Sequence, residues 1–314
     1  IARADAEIAR LAVVTAAWQV RSDLRRSLID FHTATNRERS VREQAAVQEK
    51  LAALIEARFA AGRSTATEVS ATRLARLKSA GALAEARAQI AATRARIAAA
   101  LGLPATALAD CAFAPLAATA LSADALATAR RESLQSRADV LAALAKVSSA
   151  HAALELEVAK QQPDFHLGPG YQWDQGANKW SLALTFELPI FHRNEAPIAE
   201  ATARRGAAVA QFHAAQAQAI AAIDSAALAQ TAAAEQREHA RRVRDETAAQ
   251  ASRTAHRLEL GAADQFERHL AALDLANAES ALADNETAAA LAAGQLEDAL
   301  QIPFPNLANL SRPP

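Results

Sequence analysis

The chain contains two stretches that repeat each other in register, 199 residues apart. The matched anchors, first copy before second, are Arg58 and Arg257, Gly62 and Gly261, Glu68 and Glu267, and Pro104 and Pro303. No gap is needed between these anchors. Self-similarity at a fixed offset indicates a fold that is built twice, and a period this long excludes a solenoid of short repeats. The sequence therefore predicts two halves with internal pseudo-symmetry.

Proline placement predicts that each half is a long helical hairpin. The ten prolines avoid residues 1–103 and 198–302, and proline costs roughly 3 kcal/mol inside a helix. Each span reads as a long helix, a turn at Gly62 or Gly261, and a return helix that ends before a proline. A helix from Pro197 to Gly261 would be roughly 95 Å long, so it needs a partner helix along its course.

Apolar spacing in the first return helix indicates close helix packing. Leu83, Ile90 and Ile97 lie seven apart, and a small residue follows each of them three positions later. A coiled-coil seam and an ordinary helical bundle core explain this spacing equally well. Four arginines of the same helix predict a solvated face paired with acidic residues: Arg73, Arg76, Arg87 and Arg94.

Residues 163–191 break the helical pattern and predict a β-hairpin. Apolar side chains occupy odd positions from Phe165 to Trp173 and even positions from Trp180 to Ile190, with polar or small residues between them. Such strict alternation is typical of strands with one apolar and one polar face. The polar segment 174–179 is predicted to be the turn. The predicted inward, polar side includes Ser181, Thr185 and Glu187.

A two-stranded hairpin is marginal by itself in water, so its apolar face needs a partner. Packing on helices would satisfy it in a soluble protein. Strands near ten residues long and aromatic residues near the turn also fit a transmembrane β-barrel whose apolar face meets lipid. The hairpin alone leaves both environments open, and its place beside two very long helical hairpins in a duplicated plan favours the barrel. The predicted lipid-facing residues are Phe165, Leu167, Tyr171, Trp173, Trp180, Leu182, Leu184, Phe186 and Leu188.

Residue content offers no support for an enzyme or a nucleic-acid-binding protein. The formal net charge is −1, so the basic surface that binds nucleic acid is missing. Cys111 is the one cysteine, and the eight histidines have no i, i+4 metal-binding spacing. No nucleophile–base pair or glycine-rich phosphate loop occurs in the sequence. We therefore expect no catalytic residues, no cofactor, no metal site and no nucleic-acid partner.

Several motifs resemble those of TolC-type outer-membrane factors, and most of them surround the hairpin. They are Gly168-Pro-Gly-Tyr171, Asp174-Gln-Gly176, Asn178-Lys-Trp180-Ser181-Leu182, Leu188-Pro-Ile-Phe191, Arg193-Asn194 and Pro197-Ile-Ala-Glu-Ala201. Arg137-Ala-Asp-Val140 resembles the family's Arg-Pro-Asp-Leu, with Ala138 in place of the proline. The Arg-x-x-x-Gly segments resemble the family's turn motif at the periplasmic end of each helical hairpin. The likeness is greatest to the heavy-metal efflux branch typified by CzcC and CusC.

The resemblance implies a mainly α fold with a β-hairpin, in which long antiparallel helical hairpins form a tunnel wall below a transmembrane β-barrel segment. It implies a homotrimer in the outer membrane of a Gram-negative cell, contacting outer-membrane lipid, with a periplasmic helical extension. It further implies passive efflux of heavy-metal cations, together with an inner-membrane pump and a periplasmic adaptor (membrane fusion protein). Two alternatives remain open: a soluble coiled-coil scaffold or adaptor with a packed hairpin, and a multidrug or type I secretion duct.

Six segments follow from these patterns. They are the first-repeat helical hairpin 1–104, an equatorial connector 105–137, a helix leading to the barrel 138–162, the barrel hairpin 163–191, the second-repeat helical hairpin 192–303 and a C-terminal tail 304–314. The 199-residue offset would place a first β-hairpin before Ile1, so we expect the full-length protein to carry one upstream.

The two helical turns are the predicted contact with the adaptor, or the gate that closes the duct at rest. Glycine permits a left-handed turn there, and polar or charged side chains can close a narrow pore. The candidates are Gly62, Arg63, Thr65, Glu68, Gly261, Asp264 and Glu267. An equally weighted interpretation is that these are ordinary turn and helix-start residues.

Overall fold

The computed structural model describes residues 1–109, 111–114, 123–186 and 193–303. Its elements in chain order are α1 (Ala2–Ala60), α2 (Ala66–Ala100), a 3-10 turn (Ala105–Leu108), α3 (Ala123–Ser136), α4 (Ala138–Ala159), β1 (Phe165–Asp174), β2 (Ala177–Phe186), α5 (Glu195–Glu259) and α6 (Gln265–Leu300). The described chain is mainly helical with a small antiparallel sheet, as predicted. Two compact units result: Ile1–Ala16 with Arg131–Ala221, and Ala17–Arg130 with the described residues from Ala222 onwards.

Four long helices dominate the fold because alanine and other strong helix formers fill proline-free spans. The helices α1 and α5 contain 59 and 65 residues, and α2 and α6 contain 35 and 36. The helix α5 begins at Glu195, slightly before the predicted start at Pro197. Proline is tolerated there because the first helical turn leaves backbone N–H groups unpaired in any case. Within the described ranges, no helix combines the length and hydrophobicity that membrane spanning requires.

The 199-residue repeat is visible in the backbone. The return helices α2 and α6 begin at the equivalent residues Ala66 and Gln265. Just beyond their ends, the equivalent residues Gly102 and Gln301 both adopt left-handed backbone conformations, with φ of 68° and 52°. The two copies therefore share a helix start and a helix stop, although the left-handed residue is glycine in only one of them.

In the second unit, α1 packs antiparallel against both α2 and α6. The contact with α2 includes an ion pair between Arg76 Nη1 and Glu49 Oε1 at 3.2 Å. The contact with α6 includes a hydrogen bond between the hydroxyls of Thr33 and Thr287 at 3.0 Å. Pairing along both sides supplies the partner helices that so long a helix needs.

Small side chains and a few large apolar ones fill the core of this unit. One cluster joins α1, α2 and the 3-10 turn through Phe31, Ile97, Ala98 and Leu108. Another joins α3, α5 and α6, with Ala129, Ile223, Leu296 and Leu300 at its centre. Thr93 and Ile97, which belong to the predicted seven-residue pattern, are buried in α2. The seven-residue pattern therefore identifies the buried face of α2.

The predicted arginine face of α2 is correct for three of its four members. Arg73, Arg76 and Arg87 form ion pairs with glutamates of α1. Arg94 does not, because its guanidinium donates to the backbone carbonyls of Leu108 and Ala109. The same guanidinium lies over the rings of Phe31 and Phe113, 5.3 and 5.7 Å from their centroids. Arg94 thus holds the start of the connector against the helices.

The hairpin lies in the first unit, and its turn is shorter than predicted. Gln175 and Gly176 form the turn, with φ of 45° and 85°, as a two-residue type I′ turn requires. The expectation that 174–179 forms the turn is therefore wrong: Asn178 and Lys179 belong to β2 and pair with Trp173 and Gln172. The C-terminal end of the predicted hairpin segment 163–191, which includes Glu187 and Leu188, lies outside the described residues.

Candidate functional site: the paired helical turns and the exposed hairpin face

The first helical turn links α1 to α2 through a glycine-dependent stop. Gly62 has a φ of 69°, a conformation in which a Cβ atom would be strained. The amide of Arg63 donates to the carbonyl of Arg58 at 2.8 Å, and the amide of Gly62 donates to that of Phe59 at 2.9 Å. These paired bonds form a Schellman motif, which satisfies carbonyls at the end of α1.

The second turn, between α5 and α6, repeats this geometry at the equivalent residues. Gly261 has a φ of 71°. The amide of Ala262 donates to the carbonyl of Arg257 at 2.8 Å, and the amide of Gly261 donates to that of Leu258 at 3.0 Å. The chain therefore builds one local structure twice, and side chains alone distinguish the two turns.

Three of the predicted site residues, Thr65, Glu68 and Asp264, cap with their side chains the helices that follow these turns. The Glu68 amide donates to Thr65 Oγ1 at 3.3 Å, and the Thr65 amide donates to Glu68 Oε2 at 2.9 Å, which completes a capping box. In the second turn, Asp264 Oδ1 accepts from the amide of Glu267 at 2.8 Å. Helix capping thus accounts locally for the presence of these residue types.

An ion pair brings the two turns together within the second unit. Arg58 Nη2 lies 2.8 Å from Asp264 Oδ2, and the Arg58 guanidinium lies 5.7 Å from the ring centroid of Phe266. Sequence reasoning missed Arg58 and Phe266 as site residues. The repeat did point to Arg58, because Arg58 matches Arg257. Nothing in the repeat indicated which residue Arg58 would contact.

The charges at the turns are held in their ionised forms. The pKa of Asp264 is lowered because its carboxylate accepts from the Glu267 amide and, secondarily, from Arg58. The pKa of Glu68 is lowered by hydrogen bonds from the Ser64 hydroxyl and the Thr65 amide. Arg63 is exposed, and its side chain makes no hydrogen bond or ion pair with any residue that the structure describes. Its guanidinium is therefore the side chain at the first turn that is available to a partner.

We expect acidification below about pH 4, the ordinary range of an aspartate pKa, to loosen the second turn. Because folding lowers the pKa of Asp264, its stabilising contribution is complete above the unfolded-state pKa and is lost as the pH falls through the folded-state pKa. The hydrogen-exchange protection of the Glu267 amide measures this loss. Asp264→Asn keeps the capping oxygen and removes the titration, so its protection should not fall over the same pH range. An equal fall in both proteins would contradict the prediction.

The hairpin carries a continuous apolar face that the described residues leave exposed. The register pairs Phe165 with Phe186, Leu167 with Leu184, and Tyr171 with Trp180. Residues opposite one another in neighbouring strands share a face, so the two predicted apolar sets lie on one side. The exposed fractions are high: Phe165 68%, Leu167 65%, Tyr171 56%, Trp173 65%, Trp180 81%, Leu182 69%, Leu184 59% and Phe186 48%.

The opposite face of the hairpin is polar or small. His166 pairs with Thr185, Gly170 pairs with Ser181, and the Lys179 ammonium lies 2.7 Å from Asp174 Oδ2 near the turn. No group of three or more metal-ligating side chains comes together among the described residues. The strands thus separate an apolar surface from a hydrophilic one.

Sequence comparison supplies the class of protein. The profile of the family described as outer membrane efflux protein matches residues 129–300, and the chain belongs to that family. The family consists of efflux channel proteins rather than enzymes. No curated protein sequence matches the chain significantly.

Structural comparison finds outer-membrane proteins with the same fold. VceC from Vibrio cholerae has 22% identity and a TM-score of 0.81, over 96% of this chain and 74% of VceC. The outer-membrane channel OprN has 19% identity and a TM-score of 0.82, over 96% and 70%. CusC has 17% identity and a TM-score of 0.77, over 95% and 72%. At these identities the likeness shows the fold, which is that of TolC-like channels.

Proposed function

We propose that this protein is the outer-membrane channel of a tripartite efflux system, a passive duct that works with an inner-membrane pump and a periplasmic adaptor. The observation that carries the proposal is the exposed apolar face of the hairpin. Tryptophan, leucine and phenylalanine side chains form that face along both strands. A water-soluble protein rarely leaves an apolar patch of this kind exposed. Lipid is the partner that suits an apolar face backed by a hydrophilic one.

In this proposal the hairpin contributes strands to a transmembrane β-barrel that three copies of the chain share. An isolated hairpin leaves two strand edges with unpaired backbone groups, which a membrane does not tolerate. Closing the sheet with strands from other copies removes both edges. The long helices then form the wall of a periplasmic tunnel, and cargo crosses the outer membrane without chemical change.

Membrane fractionation and conductance test this function. The full-length protein in a Gram-negative cell should fractionate with the outer membrane, require detergent for extraction, and conduct ions after reconstitution into planar bilayers. Extraction by salt or alkaline carbonate alone, with no conductance, would favour the alternative of a soluble coiled-coil scaffold. A peripheral protein of known behaviour, extracted in parallel, controls for incomplete washing.

For the cargo, we propose heavy-metal cations, supported by the motifs around the hairpin that resemble the CzcC and CusC branch. The structural likeness extends across several outer-membrane channels and does not separate this branch from multidrug or secretion ducts. Deleting the gene should sensitise cells to divalent or monovalent metal cations while leaving their tolerance of dyes and detergents unchanged. Sensitivity to dyes and detergents alone would overturn the metal assignment and leave the duct itself standing.

The two helical turns are proposed as the adaptor-docking or gating end of the duct. Arg63 is exposed and unpaired among the described residues, and Asp264 is exposed beside Arg58, so both offer charge to a partner. Arg63→Gln with Asp264→Asn should leave the trimer assembled and lower export or raise leak conductance. The matched control neutralises the exposed pair Arg76 and Glu49 in the helical shaft, which should change neither. Unchanged export and conductance in an assembled double variant would reduce these residues to a structural role.

A further inference from the structure

A cluster of charged groups with a buried ion pair at its centre joins α1 to α6, and the turns and hairpin do not account for it. Arg25 is at its centre: Nη1 donates to Glu297 Oε2 at 2.8 Å, Nη2 donates to the Gly294 carbonyl at 2.9 Å, and the guanidinium also contacts Asp298. Arg21 Nη2 contacts Glu297 Oε1 at 2.5 Å. The side chains of Arg25 and Glu297 are only 13% and 8% exposed. We name these five residues the seam cluster.

Gly294 makes room for this arrangement. A Cβ atom at that position would lie 2.8 Å from Arg25 Nε and 3.5 Å from Arg25 Cδ. Glycine is unfavourable in a helix interior, and Gly294 lies well inside α6. The absence of a side chain at Gly294 therefore leaves the space against α6 that the Arg25 side chain occupies.

The remainder of the α1–α6 contact contains little that would fix one helix along the other. Among the described residues, the polar contacts besides those within the seam cluster are Ser22 with Asp298, Thr33 with Thr287, Gln44 with Asn277, and Arg58 with Asp264. From one contact to the next, the residue number on α1 rises and the residue number on α6 falls by nearly the same amount, as antiparallel packing requires. Small apolar side chains contact one another without strong directional preference, whereas a buried polar group can specify register.

We propose that the seam cluster sets the register of α6 against α1 and so holds Asp264 opposite Arg58. A slip of one helical turn moves a residue by about 5.4 Å, which would separate the 2.8 Å ion pair between the turns. Arg25 is then a positioning residue for the paired turns, and Gly294 is the residue that admits it. The proposal concerns helix register alone, so it stands or falls separately from the export function.

Thiol cross-linking reads this register directly. In full-length protein with Cys111→Ser, Gln44→Cys is combined with Asn277→Cys for the observed register, or with Leu273→Cys or Ala281→Cys for a slip of about one turn. A short bifunctional thiol reagent is applied, and intrachain cross-linked peptides are quantified by mass spectrometry. With the seam cluster intact, the 44–277 product should exceed either slipped product by about tenfold, the ratio that about 1.4 kcal/mol produces.

Two changes to the cluster should reduce this preference. Arg25→Met with Glu297→Gln removes the central charges, and Gly294→Ala keeps every charge but places a Cβ atom against Arg25. Each should bring the slipped products close to the 44–277 product. The control, Arg96→Met with Asp30→Asn, removes an exposed ion pair from the α1–α2 contact and should leave the ratio unchanged. An unchanged ratio in the Gly294→Ala variant would overturn the proposal.

Discussion

Replacing Glu297 with alanine is expected to lower the free energy of unfolding by roughly 3–5 kcal/mol, the usual cost of leaving a buried charge without its partner. The Glu297 side chain is 8% exposed and accepts from both Arg21 and Arg25, so its removal leaves the buried Arg25 guanidinium with one carboxylate, Asp298, in place of two. Thermal or denaturant unfolding of the detergent-purified protein, followed by circular dichroism, measures the change.

Glu49→Ala provides a matched comparison for this prediction. Glu49 also pairs with an arginine of a neighbouring helix, at 3.2 Å, but both side chains are about half exposed. Exposed pairs contribute about 0–1 kcal/mol, because water already solvates both charges. The two variants lose the same chemical group, one from a buried ion pair and one from an exposed ion pair. Equal destabilisation by both would show that burial does not govern the seam cluster.

Leu184→Arg is expected to destabilise the membrane-inserted protein by roughly 2–4 kcal/mol if the residue lies near the bilayer midplane. Leu184 is 59% exposed and pairs with Leu167 on the apolar face of the hairpin. Arginine there would place a charge in lipid. The folded fraction after refolding into phospholipid vesicles, measured from gel mobility with and without heating, reports the loss.

Thr185→Arg is the control, because Thr185 pairs with His166 on the polar face, next along the same strand. Its effect should be small in a barrel whose polar face meets water. Spin labels at residues 184 and 185 provide an independent check. Lipid-soluble oxygen should enhance the relaxation of the label at residue 184, and a water-soluble nickel complex should enhance that of the label at residue 185. Similar accessibility of both labels to both quenchers would contradict a lipid-facing assignment.

Local sequence was sufficient to predict most of the hairpin. Alternation along Phe165–Trp173 and Trp180–Phe186 predicted two strands and the face that each apolar side chain occupies, because side-chain direction follows the strand period. The turn was misjudged because Asn178 and Lys179 are polar. Polarity is shared by loops and by the hydrophilic face of a strand, so composition alone did not separate these two environments.

The helical turns were predicted through the repeat, but their contact was not. Glycine at equivalent positions, followed by Thr65 and Asp264 as capping residues, locates each turn from sequence because these are local preferences. The contact between Arg58 and Asp264 depends on which long helix packs against which, and alanine-rich faces do not specify that choice. The role of Gly294 was not predicted for the same reason, because it depends on Arg25, which is 269 residues away in sequence.

The spacing of contacts along the chain has a consequence for the order of folding. The pairing of α1 with α2 joins residues close in sequence, such as Glu49 and Arg76, which are 27 apart. The seam between α1 and α6 joins residues 206 apart at Arg58 and Asp264, and 276 apart at Arg21 and Glu297. Closing so long a loop costs more chain entropy and slows the formation of non-local contacts. The two helical hairpins, α1 with α2 and α5 with α6, should therefore form early and independently. The packing of α1 against α6 should be the late, slow step of folding.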